Sequence, residues 1–288
     1  MTPGSSKGKR DHGVIVPIVT PITKERDLDE PALRKIIEYM ITGGVHGIFV
    51  LGTTGEGPYV PREMRARLVS QTLEFVNGRV PVYAGVHDMV VDQSISAAKD
   101  YLRRGVAAVV SQLPGYFLLS AKEQFNFYAL LAEHIPGPVI LYDMPIAVHQ
   151  GIDPSVIEHL RVFSNVVGIK DSSGDPQRLE HLLSAYGDDP LFSVLVGASA
   201  LASFGFQHGA DGYVPSGANV DPALCVRLYA SALKGDAALT AELQQAVVHL
   251  QNEFGGDTLG QTIARLKRSM SSRGLCSPMV FPPLQPSD

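Results

Sequence analysis

The sequence predicts an α/β protein, a (β/α)8 (TIM) barrel with additional C-terminal helices, on three observations. Eight apolar, β-branched runs of strand length recur along the chain; helical patterns lie between them; and no linker or compositional break divides the series. The runs are Val14–Val19, Gly47–Leu51, Val80–Ala84, Ala107–Val110, Val139–Tyr142, Val166–Ile169, Phe192–Val196 and Gly212–Val214. Each is too short for a buried helix and is bounded by Gly, Pro or Asp. Several are apolar without alternation, as expected of strands covered on both faces and therefore of a parallel sheet.

The intervening segments carry helical marks. Leu33, Ile36, Ile37, Met40 and Ile41 fall at i, i+3, i+4, i+7 and i+8, one apolar stripe. Met64, Leu68, the stretch 71–73 and Val76 repeat the device. Asp153-Pro154 and Asp221-Pro222 each set a capping carboxylate before a proline at the first helical position. Gly44, Gly78 and Gly105 stand where helices should end. Eight strand–helix repeats over about 220 residues fit either an open doubly wound sheet or a closed barrel. The absence of a GxGxxG after the first run disfavours the dinucleotide-binding sheet, so closure is the expectation. Past residue 234 the strand signal stops, and 237–252 and 258–272 read as helices. The predicted organisation is a leader without fixed structure (1–12), the barrel (13–234) and a helical extension packed on it (235–288).

Composition bounds the function. The 288 residues are 45% hydrophobic and 18% charged, enough apolar material for a sizeable core, which excludes intrinsic disorder. A net charge of −5 leaves no electrostatic footprint for nucleic acid or an anionic membrane. No window approaches the roughly 18 apolar residues that span a bilayer. The two cysteines, Cys225 and Cys276, have no metal-type spacing and suit free thiols in a reducing compartment, so a cytoplasmic location is expected.

In such a barrel the chemistry belongs at the C-terminal strand ends. Three segments stand out there. Lys170 closes the sixth run, where a buried ammonium would cost several kcal/mol unless paired. Alternation places Val166, Gly168 and Lys170 on one face, with Gly168 leaving space beneath the lysine. Turned into the barrel, Lys170 would be a nucleophile toward carbonyls; turned outward, it would pair with Asp171 or reach solvent. Tyr142 closes the fifth run, and strands ~4.8 Å apart would bring its phenol and the amine to one substrate, the phenol as acid and base. The turn Gly52-Thr-Thr-Gly-Glu56 follows the second run; its two hydroxyls and open backbone N–H groups make a cradle for a carboxylate. It lacks a P-loop lysine, which disfavours nucleotide phosphate.

Together these segments resemble the dihydrodipicolinate synthase/N-acetylneuraminate lyase family of class I, Schiff-base, pyruvate-dependent aldolases. The resemblance runs from Val14-Ile-Val-Pro-Ile-Val-Thr-Pro21 almost to the C-terminus, through Gly52-Thr-Thr-Gly-Glu56, Tyr142-Asp-Met-Pro145, Gly168-Ile-Lys170 and Gly212-Tyr-Val-Pro-Ser-Gly-Ala-Asn219. It implies that Lys170 forms a Schiff base with C2 of a 2-oxo acid, pyruvate or a derivative. It implies further that Thr53 and Thr54 hold the carboxylate beside Gly52, that Tyr142 transfers the proton, and that the Val214 carbonyl lines the site. A second tyrosine from across a subunit interface would relay protons through Thr53; the matching position is Tyr116, although Gly115 precedes it in place of the synthase's tyrosine. A homo-oligomer, a homotetramer built as a dimer of dimers, is implied, with no cofactor and no metal.

Departures from the family narrow the substrate. The synthases use an arginine five residues after the tyrosine to hold the second substrate's carboxylate; here that position is Ala147, which disfavours 4-hydroxy-tetrahydrodipicolinate synthesis from pyruvate and aspartate semialdehyde. Gly197-Ala-Ser-Ala200 lacks the acidic residues with which sialic-acid lyases bind a polyhydroxy chain. The remaining acceptors are a 2-keto-3-deoxy sugar acid, a 4-hydroxy-2-oxo acid or an aromatic aldehyde adduct, for an aldolase or a dehydratase. Ser172, Ser199 and Ser216 would bond substrate hydroxyls, and Phe117, Met144 and Ala147 would form an apolar wall. A metal-dependent aldolase is the reading of another class, but His87, His149, His46 and His208 are scattered without ligand spacing. A non-catalytic barrel would be expected to have lost the lysine, tyrosine or threonines, and all are present.

Overall fold

The computed structural model describes residues 11–287, and the predicted leader lies outside the described residues up to residue 10. All eight predicted strands form: β1 (Gly13–Pro17), β2 (Gly47–Val50), β3 (Val82–Gly85), β4 (Ala108–Gln112), β5 (Val139–Asp143), β6 (Val166–Asp171), β7 (Ser193–Val196) and β8 (Gly212–Tyr213). Each pairs in parallel with the next, and β8 returns to β1 through Gly13 opposite Gly212 and Val14 opposite Tyr213, closing the barrel. The helices are α1 (Glu30–Thr42), α2 (Arg62–Val76), α3 (Val91–Arg104), α4 (Ala121–His134), α5 (Pro145–Val148), α6 (Pro154–Leu160), α7 (Pro176–Tyr186), α8 (Ala202–Gln207), α9 (Pro222–Leu233), α10 (Ala237–Phe254) and α11 (Leu259–Ser272).

The local chemistry explains the boundaries. Asp153 accepts from the Ser155 N–H at 2.9 Å and Asp221 from the Leu224 N–H at 2.9 Å, the two predicted caps. Asp29 and Asp175 cap α1 and α7 in the same way. Leu33, Ile36, Ile37 and Met40 of α1 are fully buried, as the stripe requires, while Ile41 at its margin is half-buried. Gly105 ends α3 in the left-handed conformation, φ 111°, where a side chain would be strained.

Two apolar layers result. The outer one lies between strands and helices and contains Val14, Val16, Ile48, Val50, Val109, Leu141, Ile169 and Val194. The inner one fills the barrel with Ile15, Phe49, Tyr83, Ala108, Val110, Ile140, Tyr142, Leu195 and Val214. Strict alternation fails in β6. The register with β5 shifts so that Val139 opposes Val166 but Ile140 opposes Gly168, and the extra residue is Val167. Val166 therefore joins the outer layer, while Val167 packs toward the lumen, so Val166 does not share a face with Gly168 and Lys170. Asp11, just before β1, is buried and accepts a hydrogen bond from the Tyr83 hydroxyl at 2.9 Å.

The C-terminal helix α10 reaches the loops that follow β7 and β8. On α10, Gln244 accepts from the Ser203 N–H and donates to the Ser199 carbonyl, at 2.8 and 2.9 Å, and Gln251 bonds Ser216 after β8. Among the described residues no helix is long and apolar enough to cross a membrane.

Candidate active site

Strand pairing places Tyr142 opposite Lys170, the register needed for one phenol and one amine to share a substrate. Lys170 is only 5% exposed, and its Nζ lies 4.1 Å from the centre of the Tyr142 ring and 5.3 Å from that of Phe49. Aromatic faces attract the cation weakly compared with a carboxylate, so the amine is sheltered without being locked in an ion pair. The other buried lysine among the described residues, Lys267, contrasts with it: its Nζ donates to Glu56 and to the Met279 carbonyl, both at 2.6 Å. Lys267 is held by those two partners, whereas Lys170 lies against aromatic faces, where a substrate carbonyl could reach it. Gly168 has a different use from the one expected. A Cβ there would lie 2.6 Å from the Ser193 carbonyl, so the glycine admits the β7 backbone rather than the lysine stem.

The threonine turn completes the cluster. Thr53 Oγ1 and the Tyr142 hydroxyl are 3.2 Å apart, a hydrogen bond in which either can donate. The turn is sharp because Leu51 takes a left-handed conformation, φ 59°. Its carbonyl points into a niche where a Cβ on Gly57 or Gly85 would fall 2.1 or 2.2 Å from the oxygen, so neither position admits a side chain without backbone movement. His87 Nε2 bonds the same carbonyl at 2.7 Å. A carbonyl only accepts, so the proton is on Nε2. Burial pushes the His87 imidazolium down to about 4, which leaves the ring neutral at physiological pH. His87, half-buried, is thus a prop for the threonine turn. It also borders a cavity of about 340 Å³ between α2 and α3, whose rim carries Arg62 paired with Asp88 at 3.2 Å.

The other predicted residues divide. Val214 lies in the lumen layer. Ser172 fits beside Gly197, where a Cβ would stand 1.9 Å from its Oγ. Gly52 packs on Phe49, 2.7 Å from a hypothetical Cβ, and its carbonyl accepts from the Gly57 N–H. Thr54 follows Thr53 in the same turn, half-buried. Ser216 donates to Gln251 at 3.2 Å, and Ser199 accepts from the Tyr213 hydroxyl at 2.8 Å, so both hydroxyls are engaged within the chain. Tyr116 is 80% exposed and stacks edge-on against Phe117; within one chain it does not join the Lys170 group. Phe117 is itself exposed, and Ala147 packs on the outer layer, leaving Met144 as the one of the three expected wall residues that packs on the lumen layer. Among the described residues no three His, Cys, Asp or Glu side chains gather as a metal site.

One feature of the site escapes a reading by segments. Asp143 and Asp171 follow Tyr142 and Lys170 directly, oppose each other across β5 and β6, and turn outward beneath α7. There Arg178 pairs with Asp143 and lies 3.7 Å from Asp171. The signal in the sequence was the shared placement of an acid after each strand-end residue. Burial, and then Asp143, push the Asp171 carboxyl up to about 6, and burial pushes Asp143 up as well, against Arg178. Between about pH 4 and about pH 6 the folded protein therefore holds a proton on Asp171 that the unfolded chain has released. Stability should fall as pH rises from about 4 to about 6 by on the order of 2–3 kcal/mol from this group, and the deficit should persist above that window. Asp171→Asn should flatten that slope in urea-unfolding midpoints; an unchanged slope would remove Asp171 as its source.

A closed barrel with a dry lysine at its mouth, facing a phenol that is bonded to a threonine, defines a carbon–carbon lyase of the class I aldolase type. The chain belongs to the dihydrodipicolinate synthetase family, whose model matches residues 10–288. It is 29% identical over 93% of its length to a protein of Escherichia coli K12 named Probable 2-dehydro-3-deoxy-D-pentonate aldolase, covering 89% of that protein. Its fold is similar to that of a dihydrodipicolinate synthase from Bacteroides thetaiotaomicron, with 33% identity, a TM-score of 0.91 and coverage of 96% of this chain and 94% of the other. It is also similar to a prophage protein of the dihydrodipicolinic acid synthase family from E. coli K12, determined in complex with pyruvate, with 27% identity, a TM-score of 0.91 and coverage of 96% and 93%.

Proposed function

We propose that the protein cleaves, and in reverse condenses, a 2-keto-3-deoxy sugar acid or related 4-hydroxy-2-oxo acid through a Schiff base on Lys170, with pyruvate as the common fragment. The observation that carries this reading is the meeting of Lys170, Tyr142 and Thr53 at one barrel mouth, with Nζ 4.1 Å from the phenol ring and a 3.2 Å hydroxyl pair. The neutral amine adds to C2, water leaves, and the iminium becomes an electron sink. Tyr142 then takes the proton of the C4 hydroxyl as its own phenolic proton passes along the hydrogen bond to Thr53, the C3–C4 bond breaks, and an aldehyde departs. The enamine left behind gains a proton at C3, and hydrolysis returns pyruvate and the free lysine. Thr53 and Thr54 receive the substrate carboxylate, with Gly52 and the Val214 carbonyl beside them, while the Ser172 hydroxyl meets the sugar chain. Dehydration of a 2-keto-3-deoxy acid begins from the same iminium and differs in which bond to C3 or C4 is broken.

The place of Ala147 on α5 supports this choice over synthesis from aspartate semialdehyde, since no guanidinium stands there for a second carboxylate. The named pentonate aldolase agrees with it, and the named synthase is comparably similar, so the alanine is what separates the two readings. Tyr116 would complete the proton relay from a partner subunit in a dimer of dimers, which accounts for its exposure in a single chain. A panel of 2-oxo acids and aldehydes, aspartate semialdehyde included, assayed for pyruvate release and uptake, tests the proposal. Pyruvate release from a 2-keto-3-deoxy acid is the expected result, and efficient turnover of aspartate semialdehyde with none from sugar acids would reverse it.

A further inference from the structure

Glu56 closes the threonine turn and takes no part in the chemistry above, yet its side chain is completely buried. It adopts a left-handed backbone, φ 56° and ψ 28°, that a side chain rarely favours. Its two oxygens are committed to two segments of the C-terminal extension: Oε1 accepts from Lys267 on α11 at 2.6 Å, and Oε2 from the Phe281 N–H at 2.7 Å. Lys267, also fully buried, spends a second hydrogen bond on the Met279 carbonyl. The backbone of Glu56 in turn shapes the site, because its N–H donates to the Thr53 carbonyl at 3.0 Å and its carbonyl accepts from the Tyr59 N–H at 2.8 Å. From the barrel side, Thr20 holds the Gly55 carbonyl at 2.6 Å.

Stability alone is a weak reason for such a pair. Two charges taken from water recover through their attraction little more than desolvation costs, and apolar replacements of equal volume are often as stable. What the buried carboxylate adds is direction, since here one oxygen accepts from Lys267 and the other from the Phe281 N–H. Here the donors come from more than 200 residues further along the chain, 211 for Lys267 and 225 for Phe281.

We infer that Glu56 and Lys267 are positioning residues for Thr53 and Thr54, through which α11 and the segment 278–281 hold the carboxylate-binding turn in its working shape. The inference rests on the proposed function for the role of the threonines, but not for the clamp itself. The C-terminal helices are then part of the catalytic apparatus rather than a covering of the barrel's flank. Residues that touch neither substrate nor reacting atoms would set its affinity.

Glu56→Gln keeps the volume and loses the charge; the double variant with Lys267→Met leaves no unpaired buried charge and is the one expected to fold best. Two readings are taken on each variant that melts cooperatively: amide hydrogen exchange in peptides covering residues 52–57 against β5 and β6, and the pyruvate dependence of borohydride trapping on Lys170. Exchange should rise at least tenfold in the turn and stay as in the wild type in the two strands. The half-saturating pyruvate concentration should rise about tenfold, with trapping at saturation preserved. A folded variant of either kind with exchange and half-saturation within twofold of wild type overturns the inference. Failure of the wild type to be trapped by pyruvate would instead remove the reading of the site, and the exchange measurement would still decide the clamp.

Discussion

Lys170→Ala should abolish both turnover and the mass increase that borohydride produces when the protein is mixed with pyruvate. Among the described residues Lys267 is the one other buried lysine, and it is tied to Glu56 and the Met279 carbonyl. Removing the amine removes the electron sink, so the loss should reach the detection limit rather than a fixed factor. The fold should survive, because the lysine stem lies among the lumen side chains and carries no ion pair whose partner would be stranded. A melting temperature near that of the wild type, with no trapping, is the expected pair of results. Trapping at wild-type extent would place the Schiff base on another residue.

Tyr142→Phe should separate the two stages of the reaction. The ring that shelters Lys170 stays, and the hydroxyl bonded to Thr53 goes. Iminium formation should therefore persist in part, while the steps that move a proton to or from the C4 oxygen and C3 should slow by roughly 10² or more, about 3 kcal/mol in the barrier. Borohydride trapping and single-turnover cleavage measured on the same preparation make the comparison. Equal slowing of both would mean that the phenol also serves the dehydration that forms the iminium, and unchanged cleavage would send the search to a different acid and base.

The two effects differ in kind because the residues sit differently. Lys170 and Tyr142 could be found in the sequence, since each is a polar residue closing an otherwise apolar strand, and a parallel barrel turns strand order into spatial order. The same logic located the Thr53–Thr54 turn after β2. It did not foresee that Ser199 would also accept from Tyr213 and Ser216 donate to Gln251, because a short polar side chain in a loop satisfies whichever neighbour folding brings to it. Nor could it set the phase of β6, where one extra residue moves Val166 to the outer layer and leaves Lys170 inward.

The sequence by itself determined the eight strands, the caps of α6 and α9, the closure of the sheet and the three residue types at its mouth. Those follow from local periodicity and from repetition, which act over a few residues and survive without knowledge of the rest. The tertiary structure alone decided the supports: Arg178 over Asp143 and Asp171, His87 against the Leu51 carbonyl, and Lys267 reaching Glu56 from 211 residues away. A buried charge or an inward carbonyl must find a partner somewhere, but its own segment says nothing of where that partner lies in the chain; only the packed molecule, which removes water from both at once, makes the pairing obligatory.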